Sequence, residues 1–151
     1  MLFETNLRYI SIITKYSMSE RRYKSKWWSV ELPENWEANG EEESVTFTNE
    51  NAVGALLISS FRNDDKEVTN DDLLHFAEDE LVAGVDLQNI SCGEFNGMGI
   101  SYLVDGNYWR KWWLWKGSVL LYATYNCSAE DHLVEEESVN RIMNSLKNES
   151  F

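Results

Sequence analysis

The run at residues 108–117, YWRKWWLWKG, is the stretch whose residue types could do chemistry, because it places three cations among four tryptophans. A guanidinium on a strand flanked by indoles can stack on a ring, pair with a carboxylate or receive a substrate anion. Tyr108, Arg110 and Trp112 alternate along a predicted strand and therefore share one face. We identify these three residues as a candidate site for a small anionic ligand. Stacking or ion pairing of Arg110 is the structural alternative.

The charge of the chain indicates a different class of partner. The formal net charge is −13; residues 1–26 hold six basic and two acidic residues, for +4, and the rest of the chain holds seven basic and 24 acidic residues, for −17. A body this acidic repels phosphate backbones, so nucleic acid and anionic membranes are not expected as ligands. The charge either attracts a basic protein partner or only keeps the protein in solution.

Three acidic clusters would form the surface for a basic partner. They are Glu41, Glu42 and Glu43 in a loop, Asp64 and Asp65 before the first helix, and Glu135 and Glu136 on the second helix. Such clusters create a field that speeds encounter with a cationic protein. An exposed tryptophan would anchor the partner, since large aromatic side chains carry much of the binding energy at interfaces. The candidates are Trp36 and one of Trp109, Trp113 and Trp115.

The sequence lacks the motifs of common catalytic sites. It contains no GxxxxGK[ST], GxGxxG or GxSxG pattern, so neither a phosphate-binding loop nor a nucleophile elbow is predicted. His75 and His132 lie far apart in sequence, and Cys92 and Cys127 lack the CxxC spacing of a metal site. We therefore expect no catalytic residue, no metal and no cofactor.

Hydrophobic patterning predicts three strands, a helix, four strands and a second helix. The strands are KWWSVELP, ESVTFTN, AVGALLISSFR, LQNISCGEF, MGISYLVDG, YWRKWWLWKG and VLLYATYNCS. Short glycine and polar turns separate the last four, which indicates an antiparallel meander. This order favours an α+β fold, an antiparallel sheet of six to seven strands with helices packed on it.

Capping signals delimit the two predicted helices. Thr69, followed by Asp72 three residues later, begins the first helix, and Gly84 ends it. Ser128 and Asp131 resemble a second capping box. The apolar stripe of the closing helix recurs at helical spacing and consists of Val139, Ile142, Met143 and Leu146. We predict this helix from about residue 130 to residue 147.

The last two predicted strands carry apolar side chains on both faces. Trp109, Trp113 and Trp115 alternate with Trp112 and Leu114, so neither face of the strand is polar. A strand with two apolar faces is typical of a sheet covered on both sides. We therefore predict a central hairpin, with most tryptophans in the core.

The chain is interpreted as one domain, residues 27–151, preceded by a basic arm or added strand at residues 1–26. Asn6, Arg8 and Lys15 interrupt the first apolar stretch, so neither a signal peptide nor a membrane span is predicted. Cys92 and Cys127 are expected to be free, buried thiols of a reducing compartment. The expected location is the cytoplasm, and the oligomeric state stays open.

Four segments resemble the PsbP-like superfamily: VELPENW at residues 30–36, YWRKWWL, LLYATYN at residues 120–126, and RIMNSL near the end. This superfamily includes the photosystem subunit PsbP, the yeast Ran-binding Mog protein and bacterial DcrB-like domains. The resemblance covers about residues 27–147. It implies an α/β/α sandwich around an antiparallel sheet, and binding or assembly roles rather than catalysis. The superfamily shares no catalytic motif, so no site residue is carried over.

Two functional hypotheses follow from the sequence. The first is a non-enzymatic protein-binding module, such as a bacterial immunity-type inhibitor or effector adaptor, that binds a basic partner through its acidic clusters. The second is a binder of a small anionic ligand, or an enzyme, with an aromatic-lined pocket around Arg110. The second requires a concave cavity in which Arg110 is exposed and is not neutralised by a carboxylate.

Overall fold

The structure is a computed structural model that describes residues 21–64, 66–81 and 84–150. It contains two antiparallel sheets. The smaller has the order β1-β2-β10 and consists of β1 (Arg21–Lys24), β2 (Trp28–Leu32) and β10 (Lys147–Asn148). The larger has the order β3-β4-β5-β9-β8-β7-β6. Its strands are β3 (Trp36–Gly40), β4 (Ser44–Asn49), β5 (Ala55–Arg62), β6 (Gln88–Cys92), β7 (Phe95–Val104), β8 (Asn107–Lys116) and β9 (Val119–Ser128).

Two α-helices and two short 3-10 helices complete the described fold. They are α1 (Asn70–Ala77), which runs into the 3-10 turn Glu78–Glu80, and α2 (Glu136–Asn144), which follows the 3-10 turn Ala129–Asp131. The core on one face of the large sheet includes Trp28 of the small sheet and Ile142 of α2, and the core on the other face includes Leu73 of α1. The predicted α+β fold, with about seven antiparallel strands and helices packed on them, is confirmed.

The predicted central hairpin is also confirmed. In the seven-stranded sheet β9 is the middle strand and β8 is its neighbour. Trp112 belongs to the core shared with the small sheet and α2, whereas Trp113 belongs to the core under α1. Both indoles are buried because the strand alternates its side chains between two covered faces.

The capping box predicted for the first helix is present in the structure. The Thr69 hydroxyl accepts the Asp72 N–H at 3.2 Å, and the Asp72 carboxylate accepts the Thr69 N–H at 3.0 Å. Leu73 and Ala77 form the buried side of α1. The helix ends at Ala77, seven residues before Gly84, and the 3-10 turn follows it.

The start of the closing helix was predicted wrongly. Ser128 makes no side-chain capping bond, and α2 begins at Glu136 rather than near residue 130. Two strands were also missed: β3 and β10. Of the segment at residues 1–26, Arg21–Lys24 form β1, which pairs with β2 as an added strand. The remainder of that segment up to residue 20 lies outside the described residues.

Candidate functional site

A cleft lies beside the outer edge of β7. The strand β6 pairs only with the first half of β7, from Cys92 opposite Phe95 to Gln88 opposite Gly99. Beyond the last of these pairs, Gln88 with Gly99, a cleft of about 640 Å³ lies between the segment at residues 84–90 and the second half of β7. Ser101 and Leu103 of β7 line it, and Arg110, Lys111 and Trp112 of β8 contribute the inner wall.

Arg110 contributes a guanidinium to this cleft. Its Cζ lies 4.6 Å from the centroid of the Trp112 ring, and its Nη1 donates to Asn140 Oδ1 of α2 at 2.7 Å. Within residues 21–64, 66–81 and 84–150 no carboxylate forms an ion pair with it, since the ion pairs there involve other cations. A guanidinium carries five N–H donors, so donors remain for an acidic ligand.

The three residues of the predicted ligand site do not all meet in the cleft. Arg110 and Trp112 line it together, as the shared strand face requires. Tyr108 instead packs on His132, with ring centroids 5.5 Å apart, and is not part of the described cleft wall. The Trp112 side chain is buried, so it supports Arg110 by stacking rather than offering a broad aromatic surface.

Lys111 projects to the opposite face of β8, where a carboxylate neutralises it. Its Nζ donates to Glu80 at 2.8 Å, and Tyr122 donates its hydroxyl to the same Glu80 oxygen at 2.6 Å. Burial alone would raise the pKa of Glu80, but the bonds from Lys111 and Tyr122 bring it below its ordinary value. Lys111 also lies over the rings of Trp109 and Tyr102. This lysine therefore links the end of α1 to the sheet.

A second candidate surface lies at the end of the large sheet where β7 turns into β8. The backbone N–H of Ala129 donates to the Gly106 carbonyl at 2.9 Å, which holds the β7–β8 turn against the segment that leads into α2. Three side chains there are strongly exposed although apolar: Leu103 at 63%, Leu133 at 61% and Val134 at 64%. Tyr108 joins them, because it pairs with Leu103 across the strands and contacts His132, the neighbour of Leu133.

Exposed carboxylates lie within a few residues of these apolar side chains along the chain. They are Asp105 in the β7–β8 turn, Glu130 in the 3-10 turn after β9, and Glu136 at the first turn of α2. In the described part of the chain none of the three forms an ion pair. We call Leu103, Leu133, Val134, Asp105, Glu130 and Glu136 the acidic end.

The other predicted acidic clusters lie at the opposite end of the sheet. Glu41, Glu42 and Glu43 are exposed in the β3–β4 turn, and the carbonyl of Glu43 accepts the N–H of Ser60 near the end of β5. Asp64 follows β5 and pairs with Arg62 at 3.3 Å. Ten-residue strands span about 30 Å, so this cluster and Glu136 do not form one continuous field. Asp65 lies outside the described residues.

Two residues predicted to contact a partner are buried instead. Trp36 is 1% exposed and belongs to the main core, so the interpretation of Trp36 as an exposed anchor is wrong. Glu135 is 6% exposed and accepts the hydroxyl of Tyr125 at 2.7 Å and the N–H of Gly54 at 3.1 Å. Glu135 therefore stabilises the junction of three segments rather than a surface field. Trp113 is buried too, while Trp109 and Trp115 are half-buried.

The cysteines and histidines form no described metal centre. Cys92 and Cys127 are both buried free thiols, and burial raises the pKa of Cys92 to about 11 although Arg110 acts against the rise. In the part of the chain that the structure describes, no three residues of the types His, Cys, Asp and Glu cluster as metal ligands. Among the same residues no helix is long and apolar enough to cross a membrane.

Neither the cleft nor the acidic end is easily found in the sequence. The cleft arises because β7 has ten residues and its outer neighbour β6 has only five. The cleft can therefore be predicted only once it is known which strands pair with each other. A usable signal for the acidic end was the apolar pair Leu133 and Val134 among acidic residues, outside the helical stripe of the closing helix.

Similarity to known proteins is found at the level of structure. No protein-family model matches the chain, and neither does any curated protein. A crystal structure from Bacteroides thetaiotaomicron is 16% identical with a TM-score of 0.63; the match covers 88% of this chain and 50% of that one. The chain thus spans half the length of that protein.

Two further solved structures match over nearly their whole length. LpqN, involved in cell envelope biogenesis of Mycobacterium tuberculosis, is 11% identical with a TM-score of 0.53, over 88% of this chain and 87% of that chain. Cyanobacterial PsbP from Synechocystis is 10% identical with a TM-score of 0.44, over 89% and 95%. At these identities the likeness concerns the fold alone. The matches to the Bacteroides protein and to LpqN show a shared fold, and the PsbP-like resemblance stays a prediction from the sequence.

Proposed function

We propose that the chain is a non-enzymatic protein-binding module that binds a basic protein partner through the acidic end. The observation that carries this proposal is the exposure of Leu103, Leu133 and Val134 beside carboxylates that have no described cationic partner. Exposed apolar side chains grouped within a polar rim are typical of protein interaction sites. An immunity-type inhibitor or an effector adaptor would be one form of such a module.

The two kinds of side chain would have different tasks in the complex. Carboxylates at the rim raise the association rate with a cationic partner and set its orientation. Burial of the leucines and the valine would supply most of the affinity, about 1.5–3 kcal/mol for each side chain removed from water. A role in cell envelope biogenesis, stated for LpqN, does not come to this chain through a shared fold.

Charge reversal at each end of the sheet tests this proposal. The full tagged chain is used to recover partners from a lysate of its source organism at low and high salt. We expect a stoichiometric basic protein with the parent chain and with E41K/E42K/E43K, and its loss with D105K/E130K/E136K. Recovery of no basic protein at either salt concentration, or equal recovery by both variants, would contradict the proposal.

The cleft at Arg110 supports a second candidate function, the binding of a carboxylate ligand. Two observations support it: among the described residues Arg110 lines a concave cleft and pairs with no carboxylate. Arg110 is half-buried, however, and not exposed as the sequence analysis requires. Calorimetric titration with succinate tests it. We expect saturable binding that Arg110→Gln removes and that Lys147→Gln, on strand β10 and not among the residues lining the cleft, leaves unchanged. Equal titration curves for parent and Arg110→Gln would contradict this function.

A further inference from the structure

The outer edge of β7 is unpaired over half of its length. Residues 95–99 pair with β6 on that side, while residues 100–104 pair with β8 on the inner side only. In the described ranges no other strand pairs with this edge. Backbone N–H and C=O groups that face outward along an edge form a template for another strand.

The chain that precedes β6 does not close this edge. Val85 and Leu87 pack with the core under α1, on the face that also holds Ile100 and Tyr102. The segment therefore leaves the plane of the sheet and becomes one wall of the cleft, whose other wall is the free half of β7. The resulting space of about 640 Å³ is lined by consecutive residues of β7, 99–103.

The charges of the cleft favour a carboxylate on one face of an added strand. Ser101 is exposed, lies directly opposite Arg110 on β8, and shares its face. Neighbouring strands lie about 4.8 Å apart, so a strand added beside Ser101 would place its side chain about 10 Å from the Arg110 backbone. An arginine and a glutamate together bridge that distance. Asp86, which also lines the cleft, forms no ion pair with Arg110, and Lys111 is neutralised by Glu80.

We propose that residues 100–104 of β7 receive an extended segment of a partner protein as an added strand, with a glutamate side chain of that segment bound to Arg110. The alternate side chains of the segment would lie on the face of Ile100 and Tyr102 and are expected to be apolar. The proposal rests on the second candidate function, ligand binding at the Arg110 cleft, and shares only Leu103 with the acidic end.

Matched synthetic peptides test the proposal without altering the fold. The probe is a dye-labelled, end-capped peptide of sequence Thr-Val-Glu-Val-Thr, and binding to the full chain is followed by fluorescence anisotropy. We expect saturable binding that weakens about tenfold when the glutamate is replaced by glutamine, or when Arg110→Gln is introduced in the protein. The substitution Arg141→Gln, on the exposed face of α2, is the protein control and should have no effect.

Backbone pairing needs a separate measurement, since a carboxylate alone could account for binding. Two peptides of equal composition carry N-methyl groups on alternate amides, so that only one of them blocks the N–H groups facing β7. We expect one isomer to bind like the parent and the other to lose binding. Equal binding of the two isomers, or no binding of the parent peptide at millimolar concentration, would overturn the proposal. Succinate binding in that case would leave the second candidate function standing.

Discussion

Glu135 and Glu136 are adjacent residues with opposite environments. Glu135 accepts hydrogen bonds from Tyr125 and Gly54 inside the protein, whereas Glu136 is exposed at the start of α2. Loss of the Glu135 carboxylate leaves the buried hydroxyl of Tyr125 and the half-buried N–H of Gly54 without this acceptor, which costs about 1–3 kcal/mol. We expect Glu135→Ala to lower the free energy of unfolding in urea by that amount. Glu136→Ala should change it by less than about 0.5 kcal/mol, and equal losses for the two variants would contradict the assigned roles.

Glu80 predicts a pH dependence of stability. Its pKa in the folded protein lies below the ordinary value of 4.5, because the bonds from Lys111 and Tyr122 outweigh the effect of burial. Its contribution is therefore fully present above about pH 4.5 and is lost as the pH falls through the folded-state pKa. We expect the difference in unfolding free energy between the parent and Glu80→Gln to shrink from pH 7 to pH 3. The exposed Asp79→Asn serves as control, and a constant difference across this range would refute the assignment.

At the scale of the elements, the pairing of β7 with β8 depends on Gly97. A Cβ at this position would collide with the carbonyl oxygen of Trp113 and lie 2.8 Å from the Cα of Leu114. A Cβ at Gly99, two residues along the same strand, would lie 3.2 Å from the Lys111 carbonyl oxygen, which a small shift relieves. We expect Gly97→Ala to lower the thermal unfolding midpoint, through a loss of about 1–3 kcal/mol. Gly99→Ala should lower the midpoint clearly less. A larger loss for Gly99→Ala than for Gly97→Ala would contradict the close approach of β7 and β8 at Gly97.

Elements with strong local signals were predictable from the sequence, and elements made by distant contacts were not. The alternating runs of β8 and β9 and the Thr69 capping box determine their structure within a few residues. The strand β3, WEANG, holds residues that strands usually disfavour and exists because it pairs with β4. Glu135, directly before α2, makes no capping bond to the helix and instead reaches Tyr125 and Gly54 across the fold, which no local pattern predicts.

The candidate sites show the same contrast between features that local sequence patterns predict and features that depend on distant contacts. Arg110 and Trp112 could be placed on one strand face from their spacing alone, and the structure brings them together in the cleft. The burial of Trp36 could not be predicted, because its strand was not recognised. The free edge of β7 follows from the order of the strands, which no local pattern encodes.

On the scale of the whole molecule, the acidic charge is divided between two ends of one sheet. Glu41, Glu42 and Glu43 lie at the same end as the basic residues Arg62 and Lys66, since the Glu43 carbonyl accepts the N–H of Ser60, two residues before Arg62. Asp105, Glu130 and Glu136 lie instead within a few residues of exposed leucine and valine side chains along the chain. Electrostatic attraction without apolar burial gives fast but weak encounters, so the acidic end is the surface we expect to hold a partner.

The most direct test of the acidic end is the association rate constant with the recovered basic partner, measured at low and high salt by stopped-flow fluorescence. Electrostatic steering predicts a rate that falls at least tenfold from low to high salt for the parent chain. The variant D105K/E130K/E136K should be slow at both salt concentrations, while E41K/E42K/E43K should behave like the parent. A rate independent of salt, or one reduced equally by the two variants, would contradict binding through the acidic end.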